Sequence, residues 1–313
     1  MTPRKLTRLA VGALLLNTAV VSAQAPPVAS FKASVDLVRI TAVVRDHKGR
    51  LVQDLSAGDF EILESGAFTR KITDFRADLA SVNVALLFDV SGSMESRLGD
   101  ARETAAHVLG WLNNEFDEAA VYTFDTELIE IAPFTVGLKG LPAAMASVRA
   151  FGETSLRDAI GQAAKRLGER DGRRRALVVL TDGRDTSSRL SAEEVSGIAS
   201  ATDVPVYIIG IVPSIDNPEA DAATPSADKP WQAGSLDSLA MHTGGLVFKA
   251  STPGQRRLAA RQIVDELRHQ YLIAFESSGN PGWHPLQVRT RDRALTVRAR
   301  AGYTVGQSRP HSF

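Results

Sequence analysis

Residues 84–93 read Val-Ala-Leu-Leu-Phe-Asp-Val-Ser-Gly-Ser, an apolar run that ends in a carboxylate and two hydroxyl residues. A short apolar run bounded by turn residues is typical of a buried strand. Oxygen ligands at alternate positions after such a strand (Asp89, Ser91 and Ser93) suit Mg²⁺, which prefers carboxylates, hydroxyls and water. The same residues also fit an ordinary turn followed by a helix N-cap at Ser93 or Ser96. From this stretch alone, both interpretations stay open.

Two further segments favour a cation site. Residues 176–180 form a second apolar run, which is followed by Thr181-Asp182-Gly183, and Thr154 precedes an amphipathic helix pattern over 155–170. The carboxyl ends of parallel strands lie at one edge of a sheet, where open α/β sheets bind ligands. The sequence therefore predicts that five residues share one cation: Asp89, Ser91, Ser93, Thr154 and Asp182.

Strand and helix patterns alternate between residues 84 and 268, which favours a doubly wound, mostly parallel sheet with helices on both faces. The short link near Thr126 implies an antiparallel hairpin at one edge of this sheet. Helices are expected over about 96–114, 142–150, 155–170, 192–201, 236–242 and 255–268. Strands are expected up to Asp89 and over 119–124, 127–131, 176–180, 206–212 and 246–249.

The two flanks of this region show the alternating pattern of β-strands. The strand-like segments are 35–44, 60–63 and 71–75 before it, and 271–275, 286–290 and 294–300 after it. Neither flank has enough strands to bury a sheet face by itself. We therefore predict that both flanks pair into one small all-β sandwich, into which the α/β domain is inserted. Two separate β units are the alternative, and they would leave sheet edges exposed.

The order and spacing of Asp89-x-Ser91-x-Ser93, Thr154 and Thr181-Asp182-Gly183 resemble the metal-ion-dependent adhesion site of von Willebrand factor type A domains. The resemblance covers about residues 81–268 and includes the segment Leu239-Ala240-x-x-Thr243-Gly244-Gly245. More widely, residues 31–305 resemble bacterial secreted proteins described as VWFA-related. The resemblance implies the Rossmann-like von Willebrand type A fold with all five ligand positions filled.

The resemblance also implies a function for the site. In this family a bound cation completes its coordination with an Asp or Glu carboxylate of a partner protein, and partner binding depends on the cation. Mg²⁺ is the expected cation, with Mn²⁺ or Ca²⁺ as alternatives. Glu153 departs from the family, which commonly has Gly there, so this chain carries an extra acidic group beside Thr154. Two effects of this group stay open, tighter binding of the cation and repulsion of an acidic partner.

Two residues are predicted to contact the partner. Glu153 is one, because it adjoins Thr154. Trp231 is the other, because it is an amphipathic aromatic of the kind enriched at interface hot spots and lies in the Pro-, Asp- and Ala-rich loop 213–234. A tolerated surface insertion is the alternative interpretation of this loop.

The first residues indicate export. Arg4, Lys5 and Arg8 precede an apolar stretch over 9–21, which is well short of the ~20 residues that a membrane helix needs. Small residues follow, so residues 1–23 are predicted to be a cleavable signal peptide, with an uncleaved anchor as the alternative. The mature protein is therefore expected in the periplasm or outside the cell, with no membrane span. The chain has no cysteine, which excludes disulfides and a lipid-modified cysteine.

Length and charge set further limits. The 313 residues exceed one typical domain, and the 36 basic residues are balanced by 36 acidic ones, so nothing suggests nucleic-acid binding. The expected division is a signal peptide over 1–23, sandwich segments over 24–80 and 269–306, the von Willebrand type A domain over 81–268, and a disordered tail over 307–313.

Enzyme functions fit the sequence less well. A serine hydrolase needs a base and an orienting acid near its nucleophile, and the Gly-x-Ser-x-Gly motif is absent because Asp89 occupies the place of its first Gly. Two-metal phosphoesterases need a richer cluster of carboxylates or histidines. We therefore predict a protein-binding module rather than an enzyme. A structural envelope component with a purely stabilising metal site is the alternative, and a secreted hydrolase is a weaker one.

Overall fold

The computed structural model describes residues 37–77, 81–112, 115–170, 174–213 and 235–306. The predicted signal peptide, the predicted disordered tail and Trp231, with loop 213–234 beyond its first residue, lie outside the described residues. In the ranges described, no helix is both long and apolar enough to cross a membrane.

The described residues form strands and helices in a β, then α/β, then β order. The strands are β1 (Leu37–Arg45), β2 (Phe60–Glu64), β3 (Phe68–Arg70), β4 (Ile72–Arg76), β5 (Val82–Asp89), β6 (Glu118–Phe124), β7 (Leu128–Val136), β8 (Arg174–Thr181), β9 (Val206–Ile211), β10 (Val247–Ala250), β11 (Tyr271–Glu276), β12 (Gly282–Thr290), β13 (Thr296–Ala299) and β14 (Gly302–Val305). The α-helices are α1 (Leu98–Trp111), α2 (Leu156–Gly168), α3 (Ala192–Ala201), α4 (Ser235–Thr243) and α5 (Pro253–Arg268).

The central sheet has six strands in the order β10-β9-β8-β5-β6-β7. Neighbouring strands are parallel except for β6 and β7, which form the predicted antiparallel edge hairpin. The chain moves from β5 to one side of the sheet and later returns to the other side, so β5 lies where the strand order reverses. Ligands of open α/β sheets bind at the carboxyl ends of the strands beside such a reversal.

Both faces of β5 are buried, which explains the apolar run over 84–88. Leu86 and Phe88 pack on the side covered by α1 and α5, whereas Ala85 and Leu87 pack on the side covered by α2, α3 and α4. Side chains alternate along a strand, so consecutive apolar residues supply both cores. The predicted doubly wound sheet with helices on both faces is confirmed.

The flanking strands form two antiparallel sheets, in the orders β13-β1-β11-β4 and β14-β12-β2-β3. Each sheet combines strands from before and after the central region, and one apolar core that includes Ile40, Ile62 and Phe275 lies between them. The predicted sandwich built from both flanks is confirmed. The domain boundaries that we assign to it stay predictions.

One predicted element is wrong. The helix expected over 142–150 is only a 3₁₀ turn, Ala143–Ala146, in which Met145 is the buried residue. A single buried side chain provides too little packing to offset the cost of nucleating a longer helix. The short strands β3 and β14 are also absent from the sequence-based prediction.

A buried charge cluster joins α5 to the sandwich. Glu266 is fully buried, and its carboxylate accepts hydrogen bonds from Arg45 Nη2 at 2.7 Å, from Tyr207 Oη at 3.0 Å and from Arg298 Nη2. Burial alone would raise the pKa of Glu266, but the charges of Arg298 and Arg45 hold it below its ordinary value. Because Arg45 lies in β1 and Arg298 in β13, this helix is tied to both flanks.

Candidate metal centre

Asp89 is the last residue of β5 and is fully buried. Its Oδ1 accepts a hydrogen bond from the Ser91 amide at 3.0 Å, and its Oδ2 accepts one from Thr181 Oγ1 at 2.6 Å. Burial raises the pKa of the Asp89 carboxyl to about 6; the hydrogen bonds from Ser91 and Thr181 oppose this shift, and the nearby charge of Asp182 adds to it. The bond to Thr181 joins the end of β5 directly to the end of β8.

The Asp89 carboxylate has no cationic partner in the part of the chain that the structure describes. A buried charge is costly unless it is paired or coordinates a metal ion. Its two hydrogen bonds compensate only part of that cost. The position therefore suits a cation from solution.

The serine hydroxyls lie beside this carboxylate. Ser91 is buried, and its Oγ is 3.2 Å from Ser93 Oγ. Adjacent ligands of an octahedral Mg²⁺ with bonds of about 2.1 Å lie about 3 Å apart, so the two hydroxyls are spaced as ligands of one ion. The alternative N-cap interpretation is wrong, because α1 begins at Leu98 with Arg97 at its N-cap position.

The loop before Thr154 is hydrogen-bonded to the loop after β5. The Phe151 amide donates to the Val90 carbonyl at 2.8 Å, and the Gly92 amide donates to the Gly152 carbonyl at 3.0 Å. A Cβ on Gly92 would lie 3.4 Å from that carbonyl oxygen, and Gly152 has a φ of +78°, which favours glycine. The glycines thus allow the two loops to approach closely.

Thr154 is buried and is held by the loop after β8. Its amide donates to Thr186 Oγ1 at 3.0 Å, and its carbonyl accepts from the amides of Thr186 and Ser187 at 2.9 and 3.0 Å. Within the described ranges, the Thr154 hydroxyl has no hydrogen-bond partner. The three loops that carry the predicted ligands are therefore hydrogen-bonded to one another, and the Thr154 hydroxyl is free to bind a ligand.

Asp182 follows β8, and its side chain is only 5% exposed. Arg97 Nη1 donates to Asp182 Oδ2 at 3.1 Å, and the Arg184 amide donates to Oδ1 at 3.2 Å. The same Arg97 nitrogen donates to the Ser93 carbonyl at 2.8 Å. Arg97 is a site residue that the sequence did not predict, because nothing in the local pattern connects it with a residue 85 positions later.

The remaining polar residues near these loops have structural contacts. Asp185 accepts hydrogen bonds from the Arg157 amide and Nε at the start of α2, and the Asp125 carbonyl accepts one from the Ser155 amide at 2.7 Å. Glu153 is exposed on its loop, where a partner can reach it. Phe151, on the same loop, is 80% exposed, and it is not among the partner contacts predicted from the sequence.

The residues present fit a hard divalent cation. The predicted set combines two carboxylates with three hydroxyls, all of them oxygen ligands. Among the described residues, no group of three or more His, Cys, Asp or Glu side chains could hold a metal ion, so a cation at this site depends on the hydroxyls. The assignment of the five ligands stays a prediction.

Comparison with known structures gives distant likenesses. A von Willebrand factor type A protein from Catenulispora acidiphila is 14% identical, with 88% of this chain and 76% of that chain covered and a TM-score of 0.48. BatB from Bacteroides thetaiotaomicron is 18% identical, with 59% and 98% covered and a TM-score of 0.46. Proximal thread matrix protein 1 from the mussel byssus, with a zinc-occupied MIDAS motif, is 18% identical, with 65% and 50% covered and a TM-score of 0.45. At these TM-scores the likenesses support no functional conclusion.

A comparison with family models is more direct. Residues 84–184 match the model described as von Willebrand factor type A domain, and the matched range runs from β5 through Asp182. Among curated proteins, no sequence matches this chain significantly. The matched region contains all five predicted ligands on a doubly wound sheet, and the chain therefore carries a von Willebrand factor type A domain.

Proposed function

We propose that this protein is an exported module that binds a partner protein in the presence of a divalent cation. The observation that carries the proposal is the buried Asp89 carboxylate, which has no cationic partner in the described residues and lies beside two hydroxyls 3.2 Å apart. The residues that would hold the cation are Asp89, Ser91, Ser93, Thr154 and Asp182. Mg²⁺ is the proposed cation, with Mn²⁺ or Ca²⁺ as alternatives.

When bound, the cation would supply positive charge and a coordination position for a carboxylate oxygen of the partner. The chain's own residues prepare the site. Three of the proposed ligands are neutral hydroxyls, so they leave much of the ion's charge uncompensated. The hydrogen bonds among the three loops fix the backbone that carries those hydroxyls, which lowers the entropy cost of binding.

The exposed rim of the site supports a protein partner. Phe151 offers an apolar contact on the loop that ends at Thr154, and Glu153 lies between them. Exposed aromatic residues are enriched among the side chains that dominate interface energies. The partner proposed here therefore presents an Asp or Glu residue next to an apolar side chain.

We also propose that the protein is not an enzyme. The histidines considered as bases for a hydrolase have contacts within their own helices: His107 Nε2 lies 3.8 Å from Glu103 Oε1, and His242 Nδ1 lies 2.7 Å from the Ser238 carbonyl. Neither contact orients a base toward Ser91 or Ser93. Export is likewise proposed from the leader-like sequence of residues 1–23.

Calorimetric titration of metal-free protein with MgCl₂ and MnCl₂ tests the proposed site. Wild type is expected to bind one cation, and Asp89→Ala and Asp182→Ala are expected to abolish binding while circular dichroism shows a folded protein. Asp74→Ala, which removes an exposed carboxylate in β4 of the sandwich, should bind as wild type does. Absence of cation binding by wild type would refute the proposal.

The structural alternative makes a different prediction. If the cation only stabilises the fold, EDTA lowers the melting temperature but leaves association with the partner unchanged. If the cation forms the binding site, EDTA abolishes association at a temperature where the protein is still folded.

A further inference from the structure

We propose that Arg97 is the resident counter-ion of Asp182 and competes with the divalent cation for that carboxylate. This inference rests on the proposed cation site and adds a residue of the chain itself that limits the affinity for the cation. No sequence motif connects the two residues, which come into contact only in the folded chain.

The Arg97 guanidinium spans two of the three loops. Arg97 lies at the N-cap position of α1, and its Nη1 donates to the Ser93 carbonyl at 2.8 Å and to Asp182 Oδ2 at 3.1 Å. Both side chains are largely buried, with 22% of Arg97 and 5% of Asp182 exposed. The ion pair is therefore shielded from most of the solvent, which strengthens it relative to a surface pair.

The positive charge of Arg97 lies against one carboxylate oxygen of Asp182, a proposed ligand of the cation. A divalent ion that approaches Asp182 Oδ2 finds one of its lone pairs already occupied by Arg97 Nη1. It also meets the repulsion of a like charge, which is weakly screened because both side chains are largely buried. The guanidinium must move away or remain as a repulsive neighbour, and both outcomes weaken cation binding.

Arg184 provides a natural comparison. Its Nε lies 3.9 Å from the same Asp182 oxygen, but its side chain is 70% exposed. Solvent and salt screen such a charge, and surface pairs of this kind contribute little. Removal of the Arg184 charge should therefore change cation affinity far less than removal of the Arg97 charge.

The experiment compares Mn²⁺ affinity, measured by calorimetry on metal-free protein, among wild type, Arg97→Met and Arg184→Met. Arg97→Met is expected to bind Mn²⁺ at least tenfold more tightly than wild type, and Arg184→Met within twofold of it. Arg97→Gln also removes the charge but keeps a polar side chain, so it should show the same tightening if Arg97→Met does not fold.

Thermal melts separate competition from a merely structural role. Without Arg97, Asp182 is a buried carboxylate that lacks its counter-ion, so the variant should melt below wild type in EDTA. Saturating Mn²⁺ should then raise the melting temperature of the variant more than that of wild type. If Arg97 has only a structural role, the variant should melt below wild type by the same amount in EDTA and in saturating Mn²⁺.

Failure of the competition by Arg97 and failure of the proposed cation site give different results. If wild type binds Mn²⁺ and the neutral Arg97 variants bind it equally or more weakly, the competition is overturned and the cation site stands. If neither wild type nor the variants bind Mn²⁺, the proposed cation site is overturned, and the competition with it.

Discussion

Glu266→Gln is expected to lower the free energy of unfolding by about 3–5 kcal/mol, the usual cost of removing one partner from a buried ion pair. Glu266 is fully buried and receives hydrogen bonds from Arg45, Tyr207 and Arg298. The substitution keeps the side-chain volume, so it creates no cavity. Its cost arises because two arginines of the sandwich lose their shared negative partner.

The assay is denaturant and thermal unfolding followed by circular dichroism. At about 2 °C per kcal/mol for a chain of this size, the melting temperature should fall by about 6–10 °C. Asp265→Asn on the same helix is the matched control, because its 3.6 Å pair with Arg261 is half-exposed and should contribute less than about 0.5 kcal/mol. Equal stabilities of Glu266→Gln and Asp265→Asn would refute the view that the buried cluster holds α5 to the sandwich.

Other predictions concern acid stability, a close backbone contact and the rim of the site. The pKa of Glu266 is lowered in the folded state, so the ionised carboxylate stabilises the fold fully above pH 4.5, the ordinary pKa of a glutamate. This stabilisation is lost as the pH falls through the folded-state pKa. Melts below pH 4.5 should therefore show a smaller difference in stability between wild type and Glu266→Gln. Gly245→Ala should destabilise the protein by about 3 kcal/mol in urea melts, since the new Cβ would lie 1.9 Å from the Val206 carbonyl oxygen. Gly197→Ala in α3 is the control, because its Cβ would enter open space and the substitution should raise the free energy of unfolding by up to about 1 kcal/mol. Phe151→Ala should weaken partner binding about tenfold in surface plasmon resonance without changing Mn²⁺ affinity; an unchanged dissociation constant would exclude Phe151 from the interface.

Local patterns were sufficient to predict the fold because the decisive signals are short-range. The apolar run of β5 and its polar end lie within ten residues, and the alternation of strands and helices fixes a parallel sheet. Asp89 ends β5 and Asp182 follows β8, and these parallel strands are neighbours, so both residues lie at one edge of the sheet. The grouping of all five ligands around one cation stays a prediction. Trp231 and the predicted signal peptide lie outside the described residues, so the partner contact of Trp231 and the export of the chain stay predictions.

Long-range polar contacts could not be predicted in the same way. Arg45 and Glu266 are 221 positions apart, and Arg97 and Asp182 are 85 apart, so no periodicity relates them. The expected helix over 142–150 failed for a related reason, because its stability depended on tertiary packing that only Met145 supplies. The N-cap at Ser93 or Ser96 failed because the 3₁₀ turn Gly92–Met94 delays the start of α1.

The proposed function requires that this chain holds a partner protein through a divalent cation. Affinity capture from the envelope of the source cell, quantified by mass spectrometry in Mg²⁺ and in EDTA, tests it most directly, with Asp182→Ala as the site-deficient control. Wild type is expected to retain a partner in Mg²⁺, and this partner should be lost both in EDTA and with Asp182→Ala. Recovery of the same proteins in excess EDTA, with folded wild type, would contradict it.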